Sequence, residues 1–364
     1  MIIKSNYSQV GDFHQNLAWV RLKNNQMGYI DPNGELVFQD NFTALTDFVD
    51  TLACARDKNM NWGIINQSGK WICKPNKKFE RIILQPNCSR ARAQIGDKYV
   101  IIDFSGKVLS KKYAVIKDFS EYKAIVRKNF PTGKIIKLDH DWGILDTNGN
   151  LINGLKYTKL GNFHNNRALF YELGKGWGYI DANGTIIIEA QYFNAENFSE
   201  NRAVVYSKYN RSGLIDSNGM VIMQPKHNKI IAREQNICLV KGGEKYYYYL
   251  TEDLKRVFPI IFEDAKTFRY NVAAVKLKNY WGIVNNQGFW LITPKYQNMK
   301  EFKDGIAAVE INTRYGVADT KGKVIIPPVY EYVQFIGNDL FRIENGDFIG
   351  YLDINGVWVW AMSK

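Results

Sequence analysis

One short pattern returns along the whole of this chain, and its period limits the fold more than any other feature. Trp177-Gly178-Tyr179-Ile180-Asp181-Ala182-Asn183-Gly184 is matched by Trp142-Gly143-Ile144-Leu145-Asp146-Thr147-Asn148-Gly149. Paired glycines six residues apart recur at Gly28 and Gly34, Gly63 and Gly69, Gly213 and Gly219, Gly282 and Gly288, Gly316 and Gly322, and Gly350 and Gly356. Two decayed copies complete the register: Val100 with Gly106, and Tyr248 with Leu254. The ten copies follow one another at about 35 residues, a period that signals a repeat architecture in which each unit buries its apolar face only against its neighbours. Upstream of the first glycine, a Phe stands five residues before an Ala, as in Phe48 and Ala53, Phe163 and Ala168, Phe198 and Ala203, Phe268 and Ala273, and Phe302 and Ala307.

Within each copy, runs such as Ala203-Val204-Val205-Tyr206 and Thr185-Ile186-Ile187-Ile188 are β-branched or aromatic, four to five residues long and bounded by turn residues. Such runs are too short for helices and read as strands. Each repeat is expected to hold three short antiparallel strands. The Asp-x-Asn-Gly turn between the second and third is closed by an Asp side chain that accepts from the backbone and a Gly that takes positive φ. The first glycine, beside a large aromatic inside a strand, implies a bulge or a close approach by a neighbouring repeat's backbone. Trp62, Trp142, Trp177 and Trp281 are then expected as wedges between repeats, with Gly28, Gly63, Gly143, Gly178, Gly213, Gly282, Gly316 and Gly350 beside them as structural positions. Pro75, Pro225, Pro259, Pro294 and Pro327 follow the third strand, where they end pairing at an edge.

These motifs resemble those of WG-repeat (KWG-repeat) proteins, and the similarity runs from Met1 to about Trp360. The resemblance implies a bacterial protein that serves as an interaction scaffold. The expected fold is all-β: about ten tandem repeats of three strands in an open β-solenoid or superhelix, with a closed propeller-like ring as the alternative. Residues 1–364 are expected to form one repeat domain, with residues 1–13 as an N-terminal capping strand and loop.

Two places break the register. Ala124 to Gly143 is 19 residues where regular repeats have 9 or 10, and turn chemistry at Pro131 to Gly133 makes the extra stretch a protruding hairpin within residues 124–143. The repeat over residues 236–259 has lost both glycines and gained the run Tyr246-Tyr247-Tyr248-Tyr249. The net charge is +12, and from Lys70 to Lys137 there are 17 basic residues against 5 acidic ones, so the whole excess falls over the decayed third repeat and the insertion. The candidate partner-binding residues are Lys74, Lys77, Lys78, Arg81, Arg90, Arg92, Lys111, Lys112, Arg127, Lys128, Lys134 and Lys137. An acidic protein partner is the favoured reading, since such a patch steers it electrostatically. Nucleic acid or another anionic surface is the alternative.

Catalysis finds little support. His14, His140, His164 and His227 show no ligand spacing, and Cys54, Cys73, Cys88 and Cys238 form no CxxC pair. Asp139-His140-Asp141 contains an imidazole between carboxylates, but neighbouring residues of a strand point to opposite faces. The Asp-x-Asn-Gly turns lack the Glu that completes a calcium loop. No catalytic residue, metal, cofactor or small-molecule substrate is therefore expected. No apolar stretch reaches the roughly 18 residues that cross a bilayer, and no export signal opens the sequence, so the default location is the cytoplasm. The functional expectation is a non-enzymatic binding scaffold, as an immunity or adaptor protein of a toxin or effector system. An effector delivered into a host is the alternative within that class, and exposed aromatics that bind carbohydrate form a third.

Overall fold

A computed structural model describes residues 7–129, 140–234, 237–250, 256–337 and 339–363. Among them there is no helix, and the strands form ten antiparallel sheets in which consecutive strands pair. The chain divides into two compact units, Met1–Gln191 and Tyr192–Lys364. The first holds the sheets of repeats one to five, ending in the strand Ile186–Tyr192, and the second those of repeats six to ten.

Eight sheets have four strands and two have three, one strand more in most repeats than the sequence suggests. The additional strand comes first, and in five of these repeats it is very short: Ala44–Leu45, Val115–Ile116, Asn194–Ala195, Asp264–Ala265 and Asn298–Met299 have two residues each. Two residues carry no alternation that periodicity could register. The Phe-to-Ala spacing is the trace this strand leaves in the sequence. Between the first and second strands, Ser199 and Arg202 exchange backbone hydrogen bonds of 2.9 and 3.0 Å across Glu200 and Asn201, both at positive φ. Such two-residue turns set Phe163 directly opposite Ala168. Phe48, Phe163, Phe198, Phe268 and Phe302 are buried. Phe48 packs with Met27 and Tyr29 of the repeat before it, and Phe302 with Trp281 and Tyr296.

The first glycine serves its own repeat and not a neighbour. A Cβ on Gly63 would lie 2.5 Å from the Cys73 carbonyl oxygen, and one on Gly282 2.5 Å from that of Ile292. Both carbonyls belong to the fourth strand of the same sheet, at a register shift opposite the glycine. Where the glycine is missing, the described residues form no fourth strand. Repeat three, with Val100 in that place, keeps three strands (Arg81–Ile83, Ala91–Ile95, Lys98–Ile102) and isolated bridges from Tyr99 to Tyr113 and Ile102 to Val108. Repeat seven is the other three-stranded sheet, and pairing moves its register by one residue: Val240 faces Tyr247, as Val275 faces Gly282. Tyr247, and not Tyr248, therefore stands at the glycine position. Tyr248 is the counterpart of Tyr29: both are buried among phenylalanines and donate their hydroxyls to a backbone carbonyl, that of Lys266 and of Thr46.

The second glycine closes the turn as expected. At Asp31, the carboxylate accepts from the amides of Asn33 and Glu35, each at 2.9 Å, and Gly34 has φ +82°. Apolar clusters then join consecutive sheets. Cys54, Ile64 and Cys73 of repeat two pack with Ile82, Ala91 and Val100 of repeat three, and Val272, Trp281 and Ile292 of repeat eight with Met299, Ala307 and Val309 of repeat nine. Pro75, Pro225, Pro294 and Pro327 lie in fourth strands, at the sheet edge. The hairpin turn of the insertion falls outside the described residues, as do Ile2, Lys134, Lys137, Asp139 and Leu254.

Candidate functional site

Antiparallel strands alternate in direction, so every four-stranded sheet has two kinds of end. One end carries the turns between strands one and two and between strands three and four. The other carries the turn between strands two and three and the link to the next repeat. The links are short, as from Asp40 to Ala44, so like ends of neighbouring sheets adjoin. Lys77 and Lys78 lie in the link from repeat two to three, with Arg81 opening the strand that follows. Lys111 and Lys112 lie in the link from three to four, and Lys128 follows the second strand of repeat four. All six are exposed and share the linker-bearing end of repeats two to four. Lys58, in the turn after Leu52–Arg56, and Lys98, opening Lys98–Ile102, join them, and neither was among the candidates from sequence. Lys74 is exposed on the edge strand Trp71–Asn76.

Arg90 and Arg92 go elsewhere. They begin the second strand of repeat three, at the opposite end, and their guanidinium groups join repeat three to repeat four. Arg90 donates to the Thr147 carbonyl at 2.6 Å, and Arg92 to the Ile116 carbonyl at 2.6 Å and to the Asp118 carboxylate. Arg127 is held inside its own repeat: its Nε reaches both oxygens of Asp141, at 3.1 and 3.0 Å, and Asp141 is only 6% exposed. Lys117 donates to the Leu160 carbonyl at 3.2 Å, and burial lowers its pKa.

The tryptophans sort by packing. Trp281 is buried between repeats eight and nine. Trp62 and Trp142 are half-buried at the margin of inter-repeat clusters, and Trp177 meets Tyr171 edge-on at 5.3 Å. Cations cover several faces: Arg56 lies 5.6 Å from Trp62, Lys117 and Arg127 lie 5.2 and 5.7 Å from Trp142, and Lys266 lies 5.0 Å from Trp281. Such contacts contribute about 0.5–1 kcal/mol each where water reaches them.

Groups that could carry chemistry are placed otherwise. Asp141 serves Arg127, while the exposed His140 bonds the Lys156 carbonyl through Nδ1 at 3.1 Å. Burial pushes the Cys54 thiol up to about 12 and raises Cys73 and Cys88, which keeps them as thiols. Among the described residues, no three acidic, His or Cys side chains cluster as a metal site, and no helix is long and apolar enough to cross a membrane. In the tyrosine run, Tyr248 is core, and Tyr246 and Tyr247 are half-buried. Shallow clefts remain at the surface. One of about 310 Å³ lies beside Phe42, Lys58 and Trp71. Another of about 250 Å³ is lined by His140, Lys156, Tyr157, Thr158 and Tyr171.

Among solved structures, the matches include a eukaryotic initiation factor (12% identical, 85% of this chain and 95% of that one, TM-score 0.39). BamB from Moraxella catarrhalis is 10% identical over 96% of this chain and 97% of its own, with a TM-score of 0.29. PorZ, a surface component of the type-IX secretion system of Porphyromonas gingivalis, is 10% identical over 99% of this chain and 52% of its own, with a TM-score of 0.26. No curated protein sequence matches. A family model described as WG containing repeat matches residues 1–25, 62–99, 142–175, 177–208, 255–281, 281–313 and 315–347. Of the stretches between matches, 100–141 holds the insertion and 209–254 the tyrosine run. With more than half of its length matched in seven segments, this chain belongs to the WG-repeat family.

Proposed function

We propose that this chain is a non-enzymatic binding scaffold that docks an acidic protein partner on the linker-bearing end of repeats two to four. One observation carries this reading: strand direction gathers Lys58, Lys77, Lys78, Arg81, Lys98, Lys111, Lys112 and Lys128 at one end of three consecutive sheets. Asp57, Glu80 and Asp97 lie at the same end and offset part of this charge, but the eight cations outnumber them; Asp57 accepts from the amides of Asn59 and Asn61, and Glu80 from that of Gly96. A surface of this kind accelerates encounter with an acidic partner and suppresses basic ones, with a rate that falls as salt rises. An immunity or adaptor role in a toxin or effector system is the form of scaffold that the family resemblance supports, and a toxin gene beside this one would favour it.

The test compares the wild-type protein with the variant Lys77→Glu, Lys78→Glu, Lys111→Glu, Lys112→Glu in affinity capture at low and high salt, with the captured protein identified and its binding measured in purified form. The expected result is an acidic partner that is lost with the variant and weakened by salt. Equal capture by both proteins overturns the reading. A gel shift with single-stranded DNA that outcompetes the captured protein would move the assignment to nucleic acid.

A further inference from the structure

In four repeats, the residue immediately before the first strand caps the turn between strands two and three. Glu80 accepts from the Gly96 amide at 2.9 Å, and Glu263 from those of Lys278 and Asn279 at 3.1 and 2.8 Å. Gln297 accepts from Asn312 at 2.5 Å, and Glu331 from Gly346 at 2.8 Å. Repeat five has Thr158 in this place, just before the strand Lys159–His164. A threonine carries no carboxylate or carboxamide to cap the turn, and its Oγ1 lies 3.4 Å from His140 Nδ1. Among the described residues, no side chain accepts from the turn amides of Leu173 or Gly174.

The place a cap would fill adjoins the cleft of about 250 Å³. One cation, Lys156, lines it, and a second, Lys159, lies beside its Tyr171 wall. Lys156 Nζ lies 5.4 Å from the Tyr157 ring and Lys159 Nζ 5.2 Å from that of Tyr171, and both rings line the cleft. A carbonyl only accepts, so His140 donates its Nδ1–H to the Lys156 carbonyl, which leaves Nε2 to meet a ligand. The one carboxylate in the lining, Glu172, is paired with Lys175 at 2.7 Å. Positive charge, aromatic walls and two uncapped amides suit a carboxylate on a short apolar stem.

We infer that this cleft takes one carboxylate side chain of the acidic partner, which supplies from outside the turn cap that repeats three, eight, nine and ten carry in their own chain. The inference rests on the acidic-partner reading and adds a contact on repeats four and five to it. Its test is an amide-resolved NMR titration of the full chain with N-acetylglutamate N-methylamide, alongside the glutamine analogue and inorganic phosphate. The glutamate probe is expected to shift Leu173, Gly174 and His140 saturably, and the glutamine analogue to leave them in place. Thr158→Glu fills the site with the chain's own carboxylate and should weaken the probe by about tenfold or more, the scale of lost charge-assisted hydrogen bonds, with remote resonances unchanged. No saturable shift, a shift that survives Thr158→Glu, or a response to phosphate alone would overturn the inference. The four-lysine variant should keep the probe's shifts. Partner binding lost in that variant but retained in Thr158→Glu would refute the cleft and leave the scaffold reading standing.

Discussion

Gly282 and its equivalents show how one missing atom selects a local structure. The Ile292 carbonyl occupies the space a Cβ would need, so Gly282→Ala must push the fourth strand away from the third. The expected cost is about 1–3 kcal/mol, as for other overpacked sites, read as a lower denaturant midpoint. An unchanged midpoint would show that the bulge adapts freely. Arg127 offers a sharper contrast between charge and packing. Asp141 is buried against it, so Arg127→Met leaves a carboxylate without its partner and should cost about 3–5 kcal/mol. The double variant with Asp141→Leu should recover most of that loss, and a double variant as unstable as the single would refute the pairing. The role of Arg127 was not visible in the sequence, where it counted only as one charge in a basic run. The glycine and the strand it accommodates were both visible, the latter as the run Thr185-Ile186-Ile187-Ile188 in repeat five, but not which backbone approaches the glycine.

At the scale of the element, the hairpin turn was the most legible feature, because everything that forms it lies within a few residues. Asp103 accepts from the Ser105 hydroxyl and from the amides of Lys107 and Ser105, and Asp353 from the amides of Val357 and Asn355. The Ser105 hydrogen bond, with help from the amides, holds the Asp103 carboxyl below its ordinary value, and the Val357 amide does most for Asp353. A carboxylate with a depressed folded pKa stabilises the fold above its unfolded pKa and loses that contribution as pH falls through the folded one. Stability is therefore expected to drop below the usual Asp range, and Asp103→Asn should make that drop shallower. An acid limb of unchanged slope in paired denaturation curves would count against the turns as its source. The short first strands were illegible for the opposite reason. Two residues gain their pairing from a hairpin turn and from the sheet before them, not from any pattern of their own.

Within each compact unit, apolar clusters join consecutive sheets, which makes the stability of the unit a sum of nearest-neighbour terms. Trp281→Ala removes the buried ring between repeats eight and nine and should cost about 3–5 kcal/mol locally. Hydrogen exchange should accelerate there first and leave repeats one to three protected; uniform acceleration would contradict a nearest-neighbour array. The number of repeats, their period, the Asp-x-Asn-Gly turns and the all-β class were determined by the sequence itself, since each rests on residues close together in the chain. The concentration of charge between Lys70 and Lys137 was equally plain. Which of those cations share a surface was decided only by tertiary structure. Strand direction reverses at every turn, so Lys77, Lys78, Lys111 and Lys112 fall at one end while Arg90 and Arg92 fall at the other. There the next repeat's carbonyls and the Asp118 carboxylate take up their guanidinium groups.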